Sequence, residues 1–234
     1  MGSEKKGGPV STTLLHRADL LVTMDAERRV IPDGGLLVED GFIRAVAPSA
    51  QLPGTAGRVV DARGMVVLPG LVNTHHHLYQ TLTRALPAVQ DAELFDWLSR
   101  LYRVWGELTA EAVYVSAKVG LAELLLSGCT TASDLFYVFP HGSDVSVDAE
   151  IVAARELGIR FHPGRGSMSR GRKEGGLPPD EVVQDGEAIL ADCERLIDAY
   201  HDPRPGAMLR IDLAPCSPFS VSREALEQMR DLGR

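Results

Sequence analysis

From Leu14 to Leu68 the apolar residues come in runs of two to four, too short for helices. Leu14-Leu15, Leu20-Leu21-Val22, Leu36-Leu37-Val38, Phe42-Ile43 with Val46, Val59-Val60 and Met65-Val66-Val67-Leu68 alternate with turn-forming clusters. Those clusters are Pro32-Asp33-Gly34-Gly35, Glu39-Asp40-Gly41 and Arg63-Gly64, which supply a fixed φ or tolerate a positive one. The pattern predicts short strands joined by turns, and Asp40-Gly41 between two of them predicts a hairpin. Residues 13–68 therefore read as a small all-β domain, preceded at 1–12 by a flexible tail with no apolar run.

After Pro69-Gly70 the spacing changes. Leu71-Val72-Asn73-Thr74 predicts a strand ending at His75, and helical periodicity follows over about 92–104 and 109–127. Thr109 is placed to cap the second helix and Gly128 to stop it. Residues 129–133 predict a buried strand, 148–157 a helix closed by Gly158, and 159–162 a strand. A helical stretch spans 180–200 with a break at Gly186, a strand covers 209–214, and Ser222 caps a last helix. This βαβαβαβα order makes the fold class α/β, with parallel strands joined by crossover helices. Four such units fit an open doubly wound sheet or half of a (β/α)8 TIM barrel. A whole barrel needs about 250 residues. If the barrel is right, the chain appears truncated at Arg-Asp-Leu-Gly-Arg, a helix with no strand after it.

Composition narrows the function classes. The net charge is −8 and there is no Lys/Arg block, which speaks against a nucleic-acid binder. No run approaches the ~20 apolar residues of a membrane span, and the N-terminal residues lack the apolar segment of a signal peptide. Cys129, Cys193 and Cys216 are odd in number and far apart. The expected setting is therefore a reducing cytoplasm, with no nucleic-acid and no membrane partner.

Asn73-Thr74-His75-His76-His77 lies at the C-terminal end of the first parallel strand, where α/β folds place their ligand sites. Residues i and i+2 of an extended segment project to one side. His75 and His77 are thus candidate metal ligands facing one cavity, while His76 points away. A polar surface loop of histidines is the alternative from spacing alone.

The wider sequence resembles the amidohydrolase superfamily. Leu68-Pro69-Gly70-Leu71-Val72-Asn73-Thr74-His75-His76-His77 is similar to its first-strand PGLxxxHxH motif, and Ser127-Gly128-Cys129-Thr130-Thr131-Ala132-Ser133-Asp134 to its second-strand segment. Within the superfamily the chain resembles the cytosine/guanine deaminase and triazine hydrolase branch. The segments Gly164–Ser169, Gly175–Asp180 and Leu213–Ser222 look most like 8-oxoguanine deaminases. The resemblance implies that 69–234 is the first half of a (β/α)8 barrel. It implies zinc, or iron(II), held in part by His75 and His77. It also implies hydrolytic deamination of a small purine-like substrate, most simply 8-oxoguanine plus water to urate plus ammonia. Hydroxyatrazine aminohydrolysis and isoxanthopterin deamination are the alternatives in the same scaffold. By the same resemblance Gln80 bonds the ring and Trp97 lies against it; from the residues alone Gln80 also reads as a surface amide at a helix start and Trp97 as core packing of an amphipathic helix. Arg84 and Arg165 donate to a ring carbonyl or form ion pairs, and Cys216 lines the pocket. Asp134 orients a ligand or caps a helix. The family's catalytic Glu and Asp fall beyond Arg234, so no residue is assigned to them, and an inactive 234-residue fragment is a third expectation. The oligomeric state stays open, a homo-oligomer included.

Overall fold

The computed structural model describes residues 11–234. All but two residues of the expected tail at 1–12 lie outside that range, and Thr12 already opens a strand. The described residues form two compact units, divided between Pro69 and Gly70.

The first unit is one sheet. Strands β1 (Thr12–Val22), β2 (Val30–Glu39) and β3 (Phe42–Pro48) pair antiparallel in turn. On its other side β1 takes β4 (Arg58–Asp61) and β5 (Val66–Val67) in parallel. Ala18, Leu21 and Ala62 form its buried core. Asp40 and Gly41 make the β2–β3 hairpin turn, both with positive φ. Two expectations change. The runs at 14–15 and 20–22 belong to one strand, interrupted by a bulge between Leu15 and Ala18 with Arg17 at φ 61°. Pro32-Asp33-Gly34-Gly35 is no chain reversal; it lies inside β2 opposite that bulge. A Cβ on Gly34 would stand 2.5 Å from Leu21 Cβ, and one on Gly35 would stand 2.7 Å from the Leu15 carbonyl oxygen. The glycines are there because two backbones approach closely, not because the chain turns.

The second unit carries β6 (Leu71–Asn73), β7 (Cys129–Phe136), β8 (Arg160–Ser167) and β9 (Asp212–Pro215), all parallel and side by side in chain order. A doubly wound sheet reverses its strand order partway; this one does not. The helices are α1 (Leu94–Trp105), α2 (Ala110–Leu126), α3 (Asp148–Leu157), α4 (Gly186–Tyr200) and α5 (Arg223–Leu232). Their ends follow the local chemistry of the chain. Thr109 Oγ1 accepts from Ala112 N, Asp185 Oδ1 from Glu187 N, and Ser222 Oγ from Ala225 N. Gly158 closes α3 at φ 72°. Helix α2 buries Val113, Ala117, Gly120 and Leu121, an i, i+4, i+7, i+8 stripe. The helical stretch expected over 180–200 is a single 3-10 turn at Asp180–Val182, then α4 from its Asp185 cap. Strand β8 is longer than the four residues expected and continues through Pro163-Gly164. It can do so because β7 pairs with it as far as Arg165 and β9 from Gly164 to Ser167. His162 is therefore in the middle of the strand, opposite Ser133, and not at its end.

Candidate functional site

Strand β6 stops at Asn73, whose Oδ1 accepts from His75 N at 3.2 Å. After His77 the chain winds into 3-10 turns over Leu78–Thr83. The His75 and His77 rings stand 5.1 Å apart between centroids and nearly perpendicular. His76 turns instead toward α2, where its Cε1 lies 3.7 Å from the position a Cβ on Gly120 would take. That same Cβ would stand 2.7 Å from Leu78 Cδ2, so the small residue on α2 lets the loop pack down.

The end of β7 holds this loop by three hydrogen bonds. Leu135 N donates to His76 O at 3.0 Å, His77 Nδ1 pairs with Leu135 O at 2.8 Å, and Leu78 N donates to Asp134 Oδ1 at 2.6 Å. A carbonyl only accepts, so His77 Nδ1 carries the hydrogen and Nε2 keeps its lone pair. Burial pushes the His77 imidazole below its ordinary value and the neighbouring His75 adds to this, against the Leu135 bond that raises it. The ring is neutral at pH 7, the form that binds a metal. A neutral His77 imidazole of this tautomer, with the His75 ring 5.1 Å away, offers nitrogen donors of the kind a divalent ion takes. Among the described residues no group of three or more His, Cys, Asp or Glu side chains comes together to hold one.

Of the expected ring-binding residues, Gln80, Arg84 and Trp97 line one cavity of about 420 Å³ with Thr83, Leu86 and Val89. Gln80 Nε2 donates to Tyr79 Oη at 3.3 Å. Trp97 is partly buried, its ring edge-to-face with Trp105 at 5.3 Å, so it serves the core as well as the cavity wall. Arg84 is exposed, and both its terminal nitrogens are taken at 2.9 Å by Glu123 of α2. Cys216 does not line that cavity. It follows β9, partly buried, near the Tyr102 and Tyr137 phenols, and burial pushes its thiol up, away from nucleophilic character. Arg165 does not line that cavity either. It is fully buried, paired with Asp192 at 2.7 Å and Gln184 at 2.8 Å, and stacked 3.9 Å over Phe139. Of its two readings, the ion pair is the one the fold realises. A larger cavity of about 620 Å³ beside β9, α4 and α5 is lined by residues such as Ile197, Leu213, Leu226 and Met229. It contains none of the candidate residues.

Two participants were not legible as such. Tyr137 is buried one residue past β7, its ring 5.5 Å from His77 and 5.8 Å from Tyr79. Burial pushes its phenol far up, so it stays protonated and available as a donor. In the sequence it hides inside the apolar run Phe136–Phe139. Glu150, in the first turn of α3, reads as a solvated helix-end charge, yet it is fully buried beside Asp134.

Comparison with known proteins adds to this geometry. Residues 66–233 match the model of the amidohydrolase family. An 8-oxoguanine deaminase of Pseudomonas aeruginosa is 54% identical over 194 residues, 82% of this chain and 43% of that protein. A hydroxydechloroatrazine ethylaminohydrolase of Pseudomonas sp. (strain ADP) is 37% identical over 96% of this chain and 49% of its own length. The structure of an atrazine chlorohydrolase from Arthrobacter aurescens TC1 complexed with zinc superposes with a TM-score of 0.86. It is 34% identical and covers 94% of this chain and 50% of that one. The chain thus spans about half the length of the relatives it matches.

Proposed function

The chain belongs to the amidohydrolase family, and we propose that it carries the first half of the active site of a metal-dependent aminohydrolase acting on a purine-like ring. The favoured reaction is 8-oxoguanine plus water to urate plus ammonia, in line with the relative of 54% identity. One observation carries the metal reading: the His75 and His77 rings stand 5.1 Å apart between centroids, with His77 Nε2 left free by the bond from Nδ1 to Leu135. Zinc is the favoured ion, as in the atrazine chlorohydrolase structure, with iron(II) as the alternative. Such an ion, when bound, supplies a Lewis acid that brings the pKa of a water molecule toward ~7.

The chain's own residues hold and select. His75 and His77 present ring nitrogens, and Leu135 O keeps His77 in the required tautomer. Gln80 and Trp97, on one cavity wall, orient the ring by its polar edge and its face. Tyr137 and Cys216 bound the space on the His77 side. Each ring polar group left unmatched in such a site costs ~1–3 kcal/mol, which is how a purine is told from its analogues. The carboxylates that move protons to the ring nitrogen and to departing ammonia are assigned to residues outside 1–234. The small β domain at 13–68 and the half-barrel at 69–234 are parts of the same reading. A second reading concerns the 234 residues alone: with no cluster of three metal-binding groups among the described residues, they would not deaminate by themselves.

The test is ammonia release by the full-length protein from 8-oxoguanine, guanine, isoxanthopterin and hydroxyatrazine. Highest kcat/KM on 8-oxoguanine is the expected result. Release of an alkylamine from hydroxyatrazine, with no turnover of purines, would move the function to triazines, and isoxanthopterin as best substrate would move it to pterins. No turnover of any of the four would overturn the proposal.

A further inference from the structure

Beneath the His75–His77 loop lie two acidic side chains that the proposed chemistry does not use. Asp134 is 2% exposed and Glu150 0%. Asp134 Oδ1 is satisfied by Leu78 N. Asp134 Oδ2 and both Glu150 oxygens are buried with no hydrogen-bond partner. No ion pair among the described residues involves either carboxylate (their neighbours include no Lys or Arg within reach). Two ionised carboxylates facing each other in a dry interior would be prohibitively costly. A single proton between the two groups gives a partner to two of these three oxygens, one on Glu150 and Asp134 Oδ2, because a protonated carboxyl donates. Burial raises both groups, Asp134 up to about 7 and Glu150 well above the carboxylate range, and each acts on the other as a close neighbour.

We propose that Asp134 and Glu150 form a proton-sharing pair that positions the metal-binding loop: the Glu150 carboxyl donates to Asp134 Oδ2, and Asp134 Oδ1 anchors the Leu78 N–H directly after His77. The connection runs through covalent neighbours. Leu78 N fixes the peptide that carries His77, and Leu135, next to Asp134, takes the His77 Nδ1 hydrogen and donates its own N–H to His76 O. Helix α3 thereby reaches the site at the end of β7 without touching the substrate space. Both are positioning residues. The proposal rests on His75 and His77 as metal ligands, so its test includes readouts that do not depend on that assignment.

In the full-length protein, three variants separate the proton from the packing. Glu150→Gln keeps a donor toward Asp134. Asp134→Asn keeps the acceptor for Leu78 and turns its own amide toward Glu150. Glu150→Leu keeps volume but removes the donor. Zinc affinity is read by chelator competition, and exchange of the Leu78 amide by hydrogen–deuterium exchange. The shared proton is read as a carboxylic-acid C=O band in the infrared at neutral pH. The expected results are near-wild-type zinc affinity in the two amide variants and a loss of about 10–100-fold in Glu150→Leu, the usual cost of removing such a support. Leu78 exchange should accelerate only in Glu150→Leu, and the acid band should vanish in Glu150→Gln. Wild-type zinc affinity and Leu78 protection in Glu150→Leu would overturn the proposal, as would a wild-type protein with no acid band. So would Glu150→Gln failing as badly as Glu150→Leu. If Glu150→Leu does not fold, the amide variants and the infrared band decide. If the wild type binds no zinc, the metal reading fails while amide exchange and the infrared band still decide the pair.

Discussion

Arg165→Met separates a structural arginine from a substrate-binding one. The wild-type guanidinium is fully buried and donates to Asp192 Oδ2 at 2.7 Å, to Gln184 Oε1 at 2.8 Å and to the Gly166 carbonyl. It also lies 3.9 Å over the Phe139 ring. Methionine keeps most of the stem volume and removes every donor. Truncating one partner of a buried ion pair costs ~3–5 kcal/mol, mainly through the partner left behind. Here the partner is not abandoned: the Asp192 side chain is 25% exposed and keeps Arg195 at 2.8 Å. The orphaned groups are Gln184 Oε1 and the Gly166 carbonyl, which brings the expectation to about 2–4 kcal/mol. For a domain of this size that is a fall in Tm of roughly 4–16 °C. The assay is thermal unfolding by circular dichroism of the full-length protein, alongside kcat/KM at a temperature where the variant is folded. The expected pattern is a large drop in Tm with KM little changed. A Tm within a degree or two of wild type would refute the reasoning, and a raised KM at unchanged Tm would return Arg165 to the substrate.

Other outcomes follow from the same geometry. The double variant His75→Ala/His77→Ala should lose bound zinc, measured by metal analysis, with an unchanged far-ultraviolet spectrum; retention of stoichiometric zinc would refute the ligand assignment. Gln80→Ala should keep zinc but lower kcat/KM by about 1–3 kcal/mol, roughly 5–150-fold, in steady-state assays. Arg84→Ala, which breaks only an exposed pair with Glu123, should leave Tm unchanged and lower kcat/KM less than Gln80→Ala does. Burial pushes the Asp148 carboxyl up, but hydrogen bonds from Arg195, Ser146 and Tyr200 outweigh it and hold the group well below the usual carboxylate range. A depressed carboxylate stabilises the fold above its unfolded pKa of ~3.9 and loses that contribution as pH falls toward the folded value. Asp148→Asn should therefore lower Tm at neutral pH and flatten the dependence of Tm on pH below about 4.

What the chain states locally is what local chemistry decides. Thr109, Asp185 and Ser222 cap their helices because their side-chain oxygens reach backbone N–H groups two or three residues on. Gly158 ends α3 because it accepts a left-handed φ. The i, i+2 spacing of His75 and His77 was likewise readable, since an extended backbone sends alternate side chains to one side. The resemblance of Pro69–His77 and Gly128–Asp134 to amidohydrolase motifs indicated the family from the same residues.

Contacts between distant segments were not readable. Pro32–Gly35 has the composition of a turn, and only the bulge across the sheet at Arg17 shows why glycines stand within a strand. Arg165, Tyr137 and Glu150 carry polar groups whose environment is supplied by residues far along the chain. Asp192 receives Arg165, the His77 ring faces Tyr137, and Asp134 meets Glu150. Charge at a helix start ordinarily means solvent and a favourable dipole, and nothing local to Glu150 says otherwise. Burial and partner are properties of packed elements, and they turned Arg165 from a candidate ring donor into a buried ion pair. They also decided that Arg84 binds Glu123 while Gln80 and Trp97 share a cavity wall with it. The residue types set which chemistry is available; the packing of β7, α2 and α3 around the His75–His77 loop set which of those groups stand where that chemistry can be used.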